Sequence, residues 1–311
     1  MASAATQMPL HLILDWDGTL TVQDTLSILG ELPKARDERL KAEQAVSITA
    51  GSTASWDDFV DAYIQDYTAH KAANFPKISS PEDFSKWLNS LKAVEYRSAQ
   101  RADESGFFRG VKTEDVVTVA RNAFNSGALQ LRPGWDRLLH TGSLPGNKAT
   151  IVSVNWSGTF IRSALKQAAL KLEDQHTATA LAAYFKDMDI YANEIEGLDL
   201  QEGSTGHLIG HVRTAQEKLA AMQEAKATYS ASHPDKAPLI VYVGDSATDY
   251  ECLSQADRGL WIYDGAERTP QKAFKKTFAP LERESMSFDG LPSLTSVHGS
   301  IEYVLRCKPD I

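Results

Sequence analysis

The chain has 311 residues, of which 42% are hydrophobic and 23% are charged, and its formal net charge is −9. A chain of this length exceeds what one hydrophobic core usually supports, so we expect one domain with an appendage or two domains. The acidic balance argues against a nucleic acid or an anionic membrane as a partner, because both favour clustered Lys and Arg.

Cysteine content and hydropathy bear on the compartment. Cys252 and Cys307 are the only cysteines, too few for a disulfide framework or a thiolate zinc site. No apolar run approaches the roughly 18 residues of a membrane span, and residues 1–9 lack the basic and apolar regions of a secretory signal. These features predict a cytoplasmic protein.

The first predicted strand, His11–Leu14, is followed by Asp-Trp-Asp-Gly-Thr at 15–19. Because alternate side chains of an extended backbone project to the same side, Asp15 and Asp17 should face together. Gly18 permits a sharp turn or the close approach of a ligand. Two neighbouring aspartates suit metal-assisted phosphoryl transfer through an aspartyl phosphate. An Asx turn at the end of a strand is the alternative interpretation.

Residues 22–131 contain no strand-like run of comparable strength and predict a helical insert. Apolar side chains recur at helical spacing in 59–67 and in 84–91. Four or so helices are expected, with Ser55 or Pro81 marking helix starts. The predicted breaks between helices are Gly51-Ser52, Pro76, Pro81 and Gly106.

After the insert, strands alternate with helices, which predicts a parallel sheet. Glycines spread over 194–212 predict a hairpin within this region. The predicted strands are 149–152, 188–192, 239–243 and 259–263, and the predicted helices are a short one after the turn at 132–134, then 159–173, 214–227 and 247–256.

Two later strands also end in polar residues: one before Ser153 and one before Asp245 and Asp249. Open α/β sheets bind ligands at the carboxyl edge of their strands, so these residues should converge with Asp15 and Asp17. Like charges at about 4 Å repel by about 4 kcal/mol at an effective dielectric constant near 20, so the cluster calls for a divalent cation. The acid at 249 can also close a helix capping box.

Together these motifs resemble the four motifs of the haloacid dehalogenase-like (HAD) superfamily of phosphatases. The matching features are Asp-x-Asp-Gly-Thr at 15–19, the strand-end Ser153, a helix lysine and Gly-Asp-x-x-x-Asp at 244–249. The insert is similar to the helical C1 cap of the phosphoserine phosphatase-like branch. The resemblance implies an α/β fold, with a Rossmann-like HAD core of parallel sheet at 1–21 and 132–311 and an α-helical C1 cap at 22–131.

The resemblance also implies catalytic roles. Asp15 would attack phosphorus and become phosphorylated, and Asp17 would protonate the leaving oxygen and later take a proton from water. Ser153 would hydrogen-bond the phosphoryl group, helped by the backbone N–H groups of Val154 and Asn155. One preorganised donor of this kind is typically worth about 10² to 10³ in rate.

Mg²⁺ is the cofactor that the resemblance implies, since it is a hard cation that prefers oxygen ligands. Its ligands would be Asp15, the backbone carbonyl of Asp17 and Asp245. Asp249 would lie nearby as a further ligand, as a hydrogen-bond acceptor or as a lysine partner.

The basic residue of motif three and the substrate selectors are open. Lys218 is favoured because an acid precedes it, as in related phosphatases, with Arg213 as the backup and a solvated helix lysine as the alternative. Asp24 lies nine residues after Asp15, where this branch often has an acid that faces the substrate; a helix N-cap is the other interpretation. Trp156, directly after motif two, is a candidate selector.

The sequence therefore predicts a Mg²⁺-dependent phosphomonoester hydrolase whose cap excludes water and selects a small phosphorylated metabolite. The branch includes phosphatases that act on phosphoserine, on thiamine monophosphate and on methionine-salvage intermediates, and the motifs favour none of them. The alternative is a non-catalytic phosphate or metabolite sensor, which the acids at both 15 and 17 disfavour. A phospho-receiver module is a third hypothesis, which the long insert disfavours.

Overall fold

A six-stranded parallel sheet forms the centre of the computed structural model, which describes residues 8–43, 54–75, 80–234 and 236–263 and the backbone of a strand at 294–298. The strands are β1 (Leu10–Leu14), β2 (Lys148–Val152), β3 (Ile190–Tyr191), β6 (Leu239–Gly244), β7 (Arg258–Tyr263) and β8 (Leu294–His298), and a separate antiparallel pair is β4 (Glu194–Ile195) with β5 (Leu208–Ile209). The order β3-β2-β1-β6-β7-β8 places β1 between β2 and β6.

Helices cover both faces of this sheet, which is why its central strands are mainly apolar. Leu12 and Leu14 pack into the hydrophobic cluster on one face, whereas Ile13 between them packs into the cluster on the other. The helices of the described core are α6 (Trp135–Ser143), α7 (Gly158–Ala169) and α8 (Gln175–Asp187) on the first face, and α9 (Ala215–Ser232) and α10 (Tyr250–Gln255) on the second. The predicted α/β fold class is confirmed.

Between β1 and β2 the described residues form a helical insert. Ser55 and Asp58 make a reciprocal capping box at one helix start, and Ser80 caps the helix that begins with Pro81. These two predicted starts are confirmed, while the predicted breaks at 51–52 and 76 lie outside the described residues. The α-helices are α1 (Leu32–Ala42), α2 (Trp56–Asn74), α3 (Pro81–Ser90), α4 (Lys92–Ser105) and α5 (Thr113–Ser126).

The chain leaves and re-enters the core at adjacent positions. Thr21 forms an isolated antiparallel bridge with Leu131, and the backbone N–H of Val22 donates to the carbonyl of Gln130 over 2.9 Å. This pairing is compatible with a division at residues 22 and 131, which stays a prediction.

The insert packs against helices that cover both faces of the sheet. Phe84 and Trp87 of α3 belong to the same hydrophobic cluster as Met222 of α9 and Tyr250 of α10, and the rings of Phe84 and Tyr250 meet edge to face at 5.2 Å. On the other face α5 packs against α7. The insert is thus held at two separate places.

The predicted helix at 159–173 is too long. α7 ends at Ala169, and a second helix, α8, starts after Asp174, whose carboxylate accepts from the backbone N–H groups of His176 and Thr177. Aspartate is a favoured N-cap residue, so Asp174 was the feature of the sequence that indicated the start of a second helix. None of the helices in the described part of the chain combines the length and the apolar character required to cross a bilayer.

His11 of β1 gives the fold a pH-dependent stability. Its ring is fully buried, stacks on Tyr229 at 5.2 Å and places Nε2 2.9 Å from Thr150 Oγ1. Burial, and after it the charges of Lys148 and Lys226, lower its pKa from 6.5 to about 4. As the pH falls below 6.5, His11 is protonated in the unfolded chain, but in the folded chain it is protonated only near pH 4. The free energy of unfolding therefore decreases as the pH is lowered through this window.

We expect His11→Gln to remove this dependence. Between pH 7 and pH 4 the wild type should lose about 3 kcal/mol more of its free energy of unfolding than the variant does, measured by urea denaturation. His211→Gln, at an exposed histidine, is the matched control and should follow the wild type. Parallel curves for wild type and His11→Gln would show that the histidine titrates alike in both states.

Candidate active site

Asp15 follows the central strand β1 and is buried. Its backbone N–H donates to the carbonyl of Val243 over 2.9 Å, which fixes the end of β1 against β6. The chain then turns tightly through Gly18, whose φ is +70°. A side chain there would collide with the carboxylate of Asp245 as well as being strained. Glycine therefore allows the first and the fourth predicted motifs to meet.

Lys218 of α9 bridges two of the predicted aspartates. Its Nζ lies 2.8 Å from Asp15 Oδ1 and 2.6 Å from Asp249 Oδ1, and all three side chains are buried. Burial alone lowers the pKa of this lysine, but the two carboxylate charges raise it above its ordinary value. Arg213, the alternative for motif three, instead donates to the carbonyl of Leu208.

Asp249 has partners on both carboxylate oxygens. Oδ1 accepts from Lys218 and from the hydroxyl of Tyr242 at 2.6 Å, while Oδ2 accepts from the backbone N–H and the hydroxyl of Ser246. Although burial raises the pKa of Asp249, the lysine charge and these hydrogen bonds lower it overall. This arrangement favours the lysine-partner role among the three that the sequence left open, and it includes the capping box.

The carboxylate of Asp245 has fewer polar contacts than that of Asp249. The hydroxyl of Thr19 lies 3.1 Å from its Oδ1 and 3.4 Å from Asp15 Oδ2. Burial, and then the charge of Asp249, raise the pKa of Asp245 to about 7. Burial and the same neighbouring charge also raise the pKa of Asp15 well above its ordinary value.

The charges of this cluster fit a divalent cation. Carboxylate oxygens of Asp15, Asp245 and Asp249 lie within 4.8 Å of one another, and Lys218 supplies a single positive charge among them. Burial, and after it the neighbouring charge of Asp249, raise the pKa values of the first two acids. All of these candidate ligand atoms are oxygens, which Mg²⁺ prefers.

The side chain of Asp17 points toward the start of the insert. Its Oδ1 accepts from the backbone N–H of Thr25 at 2.7 Å and from the Thr25 hydroxyl at 2.6 Å, and its Oδ2 accepts from Asn155 Nδ2 at 2.9 Å. Burial, and then the charge of Asp24, raise the pKa of Asp17 to about 6 against these hydrogen bonds. Asp17 thus retains a proton more readily than Asp249 does.

The loop after β2 carries three other predicted residues. Ser153 is buried at the strand end, and its Oγ accepts from the backbone N–H of Asn155 at 3.1 Å. The carbonyl of Val154 accepts from Asn193. Trp156 packs against Trp56 of the insert, with ring centroids 5.6 Å apart, so it joins the insert to this loop.

Asp24 is exposed, and its carboxylate accepts from the backbone N–H of Leu26 at 2.7 Å. This contact spans two residues, and the N-cap of the helical turn at Leu26–Glu31 is Thr25, so the N-cap interpretation of Asp24 is wrong, while the charge of Asp24 still reaches Asp17. The hydrogen bond described for the Asp24 side chain goes to Leu26 and not to another predicted site residue.

Three further residues shape the site. Thr25 binds Asp17, Tyr242 binds Asp249, and the buried guanidinium of Arg132 donates to the carbonyl of Gly18. Arg132 lies in the predicted turn at 132–134. No motif distinguished these residues: Thr25 and Tyr242 reach their aspartates across short turns, and Arg132 reaches Gly18 from the far end of the insert.

No family model matches the chain. Among curated proteins, it is 24% identical over 288 residues to Bifunctional TH2 protein, mitochondrial, of Arabidopsis thaliana, which is 88% of this chain and 42% of that protein. A CTO1 family protein of Schizosaccharomyces pombe is 24% identical over 248 residues, covering 78% of this chain and 77% of its own. Cold tolerance protein 1 of Saccharomyces cerevisiae is 22% identical over 295 residues, covering 87% and 83%. The chain thus spans less than half of the plant relative.

Similar solved structures include a phosphoaspartyl intermediate analogue of phosphoserine phosphatase, with 14% identity, 83% of this chain, 87% of that chain and a TM-score of 0.41. A substrate-bound phosphoserine phosphatase has 12% identity, 96% and 98% coverage and a TM-score of 0.45. A HAD family hydrolase of Salmonella enterica serovar Typhi has 15% identity, 86% and 66% coverage and a TM-score of 0.43.

The sheet and the acidic site define a parallel α/β protein with a cluster of carboxylates at its strand ends and a helical insert after the first strand. The motifs of the chain resemble those of HAD-like hydrolases.

Proposed function

We propose that the chain is a Mg²⁺-dependent phosphatase of a small phosphomonoester. The observation that carries this proposal is the buried contact of Lys218 with Asp15 and Asp249, with Asp245 close enough to share a cation. Three carboxylates around one lysine keep an excess of negative charge, which is costly in a fold unless a cation binds, so the cluster supports a metal ligand.

In the first step Asp15 attacks phosphorus, forming a phosphorus–oxygen bond as the bond to the leaving oxygen breaks. Asp17 gives its proton to that oxygen. In the second step water attacks the phosphoaspartate, Asp17 takes the proton of the water, and the bond to Asp15 breaks to release phosphate. The pKa of Asp17, raised to about 6, suits a group that must first give and then take a proton.

Asp15, Asp245 and the backbone carbonyl of Asp17 would hold the Mg²⁺, with Asp249 as the partner of Lys218. The ion would supply positive charge opposite the phosphoryl oxygens. Ser153 and the N–H of Val154 would donate to the same oxygens, whereas the N–H of Asn155 donates to Ser153 Oγ.

The helical insert at 22–131 would act as the cap over this site, and we propose Trp156 and Asp24 as residues near its substrate. A cytoplasmic location and the absence of nucleic-acid or membrane partners remain predictions from the sequence. The name of the plant relative places that protein in the mitochondrion.

Removing and restoring the metal tests this function. Protein stripped with a chelator should not hydrolyse para-nitrophenyl phosphate, and added Mg²⁺ should restore turnover. Asp245→Asn should respond weakly to Mg²⁺, whereas Asp199→Asn, at an exposed acid, should behave like the wild type. Turnover at background level in both the stripped and the supplied protein would contradict the hydrolase and favour the sensor.

A further inference from the structure

The side chain of Asn155 connects the loop after β2 to the proposed acid. It is fully buried, and its Nδ2 lies 2.9 Å from Asp17 Oδ2 and 3.3 Å from the hydroxyl of Thr25. From the sequence, only the backbone N–H of this residue was predicted to have a role. Its side chain has a separate task.

The orientation of this amide is fixed by a backbone donor. Asn155 Oδ1 accepts from the N–H of Ser157 over 3.1 Å, and both residues are fully buried. A backbone N–H can only donate, so the atom that faces it must be the amide oxygen. The NH₂ group must therefore face Asp17.

The two oxygens of Asp17 are not equivalent. The N–H and O–H groups of Thr25 both donate to Oδ1 and so use its two lone pairs. Asn155 donates once to Oδ2, which keeps one lone pair free. Oδ2 is thus the oxygen with room for a proton.

Glu194 supports the position of Ser157. Its Oε1 accepts from the Ser157 hydroxyl at 2.7 Å, and its Oε2 accepts from the N–H of Thr159 at 2.8 Å. The Ser157 hydroxyl also accepts from the N–H of Phe160, which caps α7. The turn that carries the Ser157 N–H is therefore held at both ends.

We propose that Asn155 is a positioning residue that aims Asp17 Oδ2 at the leaving oxygen. The inference rests on the proposed function. In the first step the proton of Oδ2 moves to the leaving oxygen as that oxygen separates from phosphorus and Asp15 bonds to it. In the second step Oδ2 takes the proton of the attacking water as phosphate leaves Asp15.

Asn155→Asp tests this role, because it keeps an acceptor for the Ser157 N–H and puts an oxygen in place of the amide donor that faces Asp17 and the Thr25 hydroxyl. Because this change also adds a carboxylate beside Asp17, Asn155→Ala, which removes the donor without adding charge, is measured with it. We measure kcat and KM with Mg²⁺ for β-glycerophosphate, whose alkoxide leaving group needs a proton, and for para-nitrophenyl phosphate, whose leaving group does not. The kcat/KM for β-glycerophosphate divided by that for para-nitrophenyl phosphate should fall about tenfold or more. The kcat for the aryl ester should also fall, with kcat/KM nearly unchanged, because the second step needs the same oxygen.

Asn147→Asp is the matched control. The side-chain amide of Asn147 also accepts one hydrogen bond and donates one, but it lies at the other end of the sheet. It should keep the wild-type ratio. Asn155→Ala, which only truncates the side chain, should lower the ratio as Asn155→Asp does, so poor folding of one variant leaves the other. Equal losses for both esters, or an unchanged ratio, would overturn the inference while the phosphatase stands. A wild type inactive toward both esters would overturn both.

Discussion

Asp15→Asn is expected to lower Mg²⁺-dependent turnover of para-nitrophenyl phosphate by at least about four orders of magnitude. The amide cannot attack phosphorus, so the aspartyl phosphate cannot form. The change is nearly isosteric, and Asn keeps an oxygen for Lys218, which lies 2.8 Å from Asp15 Oδ1. Folding should therefore survive, as circular dichroism and urea denaturation would show.

Asp199→Asn makes the same chemical change at an exposed acid and should retain full turnover. If Asp15→Asn were folded and as active as the wild type, Asp15 would not be the nucleophile. Loss of activity together with loss of fold would instead make this aspartate a structural residue.

Lys218→Met is expected to lower the free energy of unfolding by about 3 to 5 kcal/mol. The change leaves the carboxylates of Asp15 and Asp249 buried without their shared cation. Added Mg²⁺ should recover part of the loss, since a cation bound to the folded state compensates the same charges. Turnover should fall by about 10² to 10³ because a preorganised positive charge is gone.

Lys226→Met is the matched control because Lys226 lies farther along α9, away from this cluster. Its stability and activity should stay close to those of the wild type. An unfolding curve for Lys218→Met that overlays the wild type, with or without Mg²⁺, would mean that the lysine does not balance the buried acids.

The central strands could be predicted because buried parallel strands are continuous apolar runs. β1, β2, β6 and β7 begin and end within one residue of the predicted limits. α8 was missed because its apolar residues follow those of α7 without a glycine or proline between the two helices, and Asp174 was not recognised as a cap. β3 shrinks to two residues because it lies at the sheet edge and pairs with β2 alone.

The site could be predicted as far as its residues follow strand ends. Asp15 directly follows β1 and Asp245 directly follows β6. Because these strands are parallel neighbours, the order of the strands is enough to bring the two residues together. Lys218 required a choice among basic residues, and the structure places it between the acids. The contacts of Asp17 with Thr25 and Asn155 were missed, since they depend on how two loops pack across the strand ends.

The central claim is that Asp15 carries the phosphoryl group. Asp17→Asn should still form the intermediate with para-nitrophenyl phosphate, whose leaving group needs no proton, but should hydrolyse it slowly for want of a base. After acid quenching, borohydride reduces an aspartyl phosphate to homoserine, which mass spectrometry of the digested protein locates. We expect homoserine at position 15 only when Mg²⁺ and substrate are both present. Unmodified Asp15 in a variant that still releases nitrophenol, or phosphate on Ser153, would contradict the account.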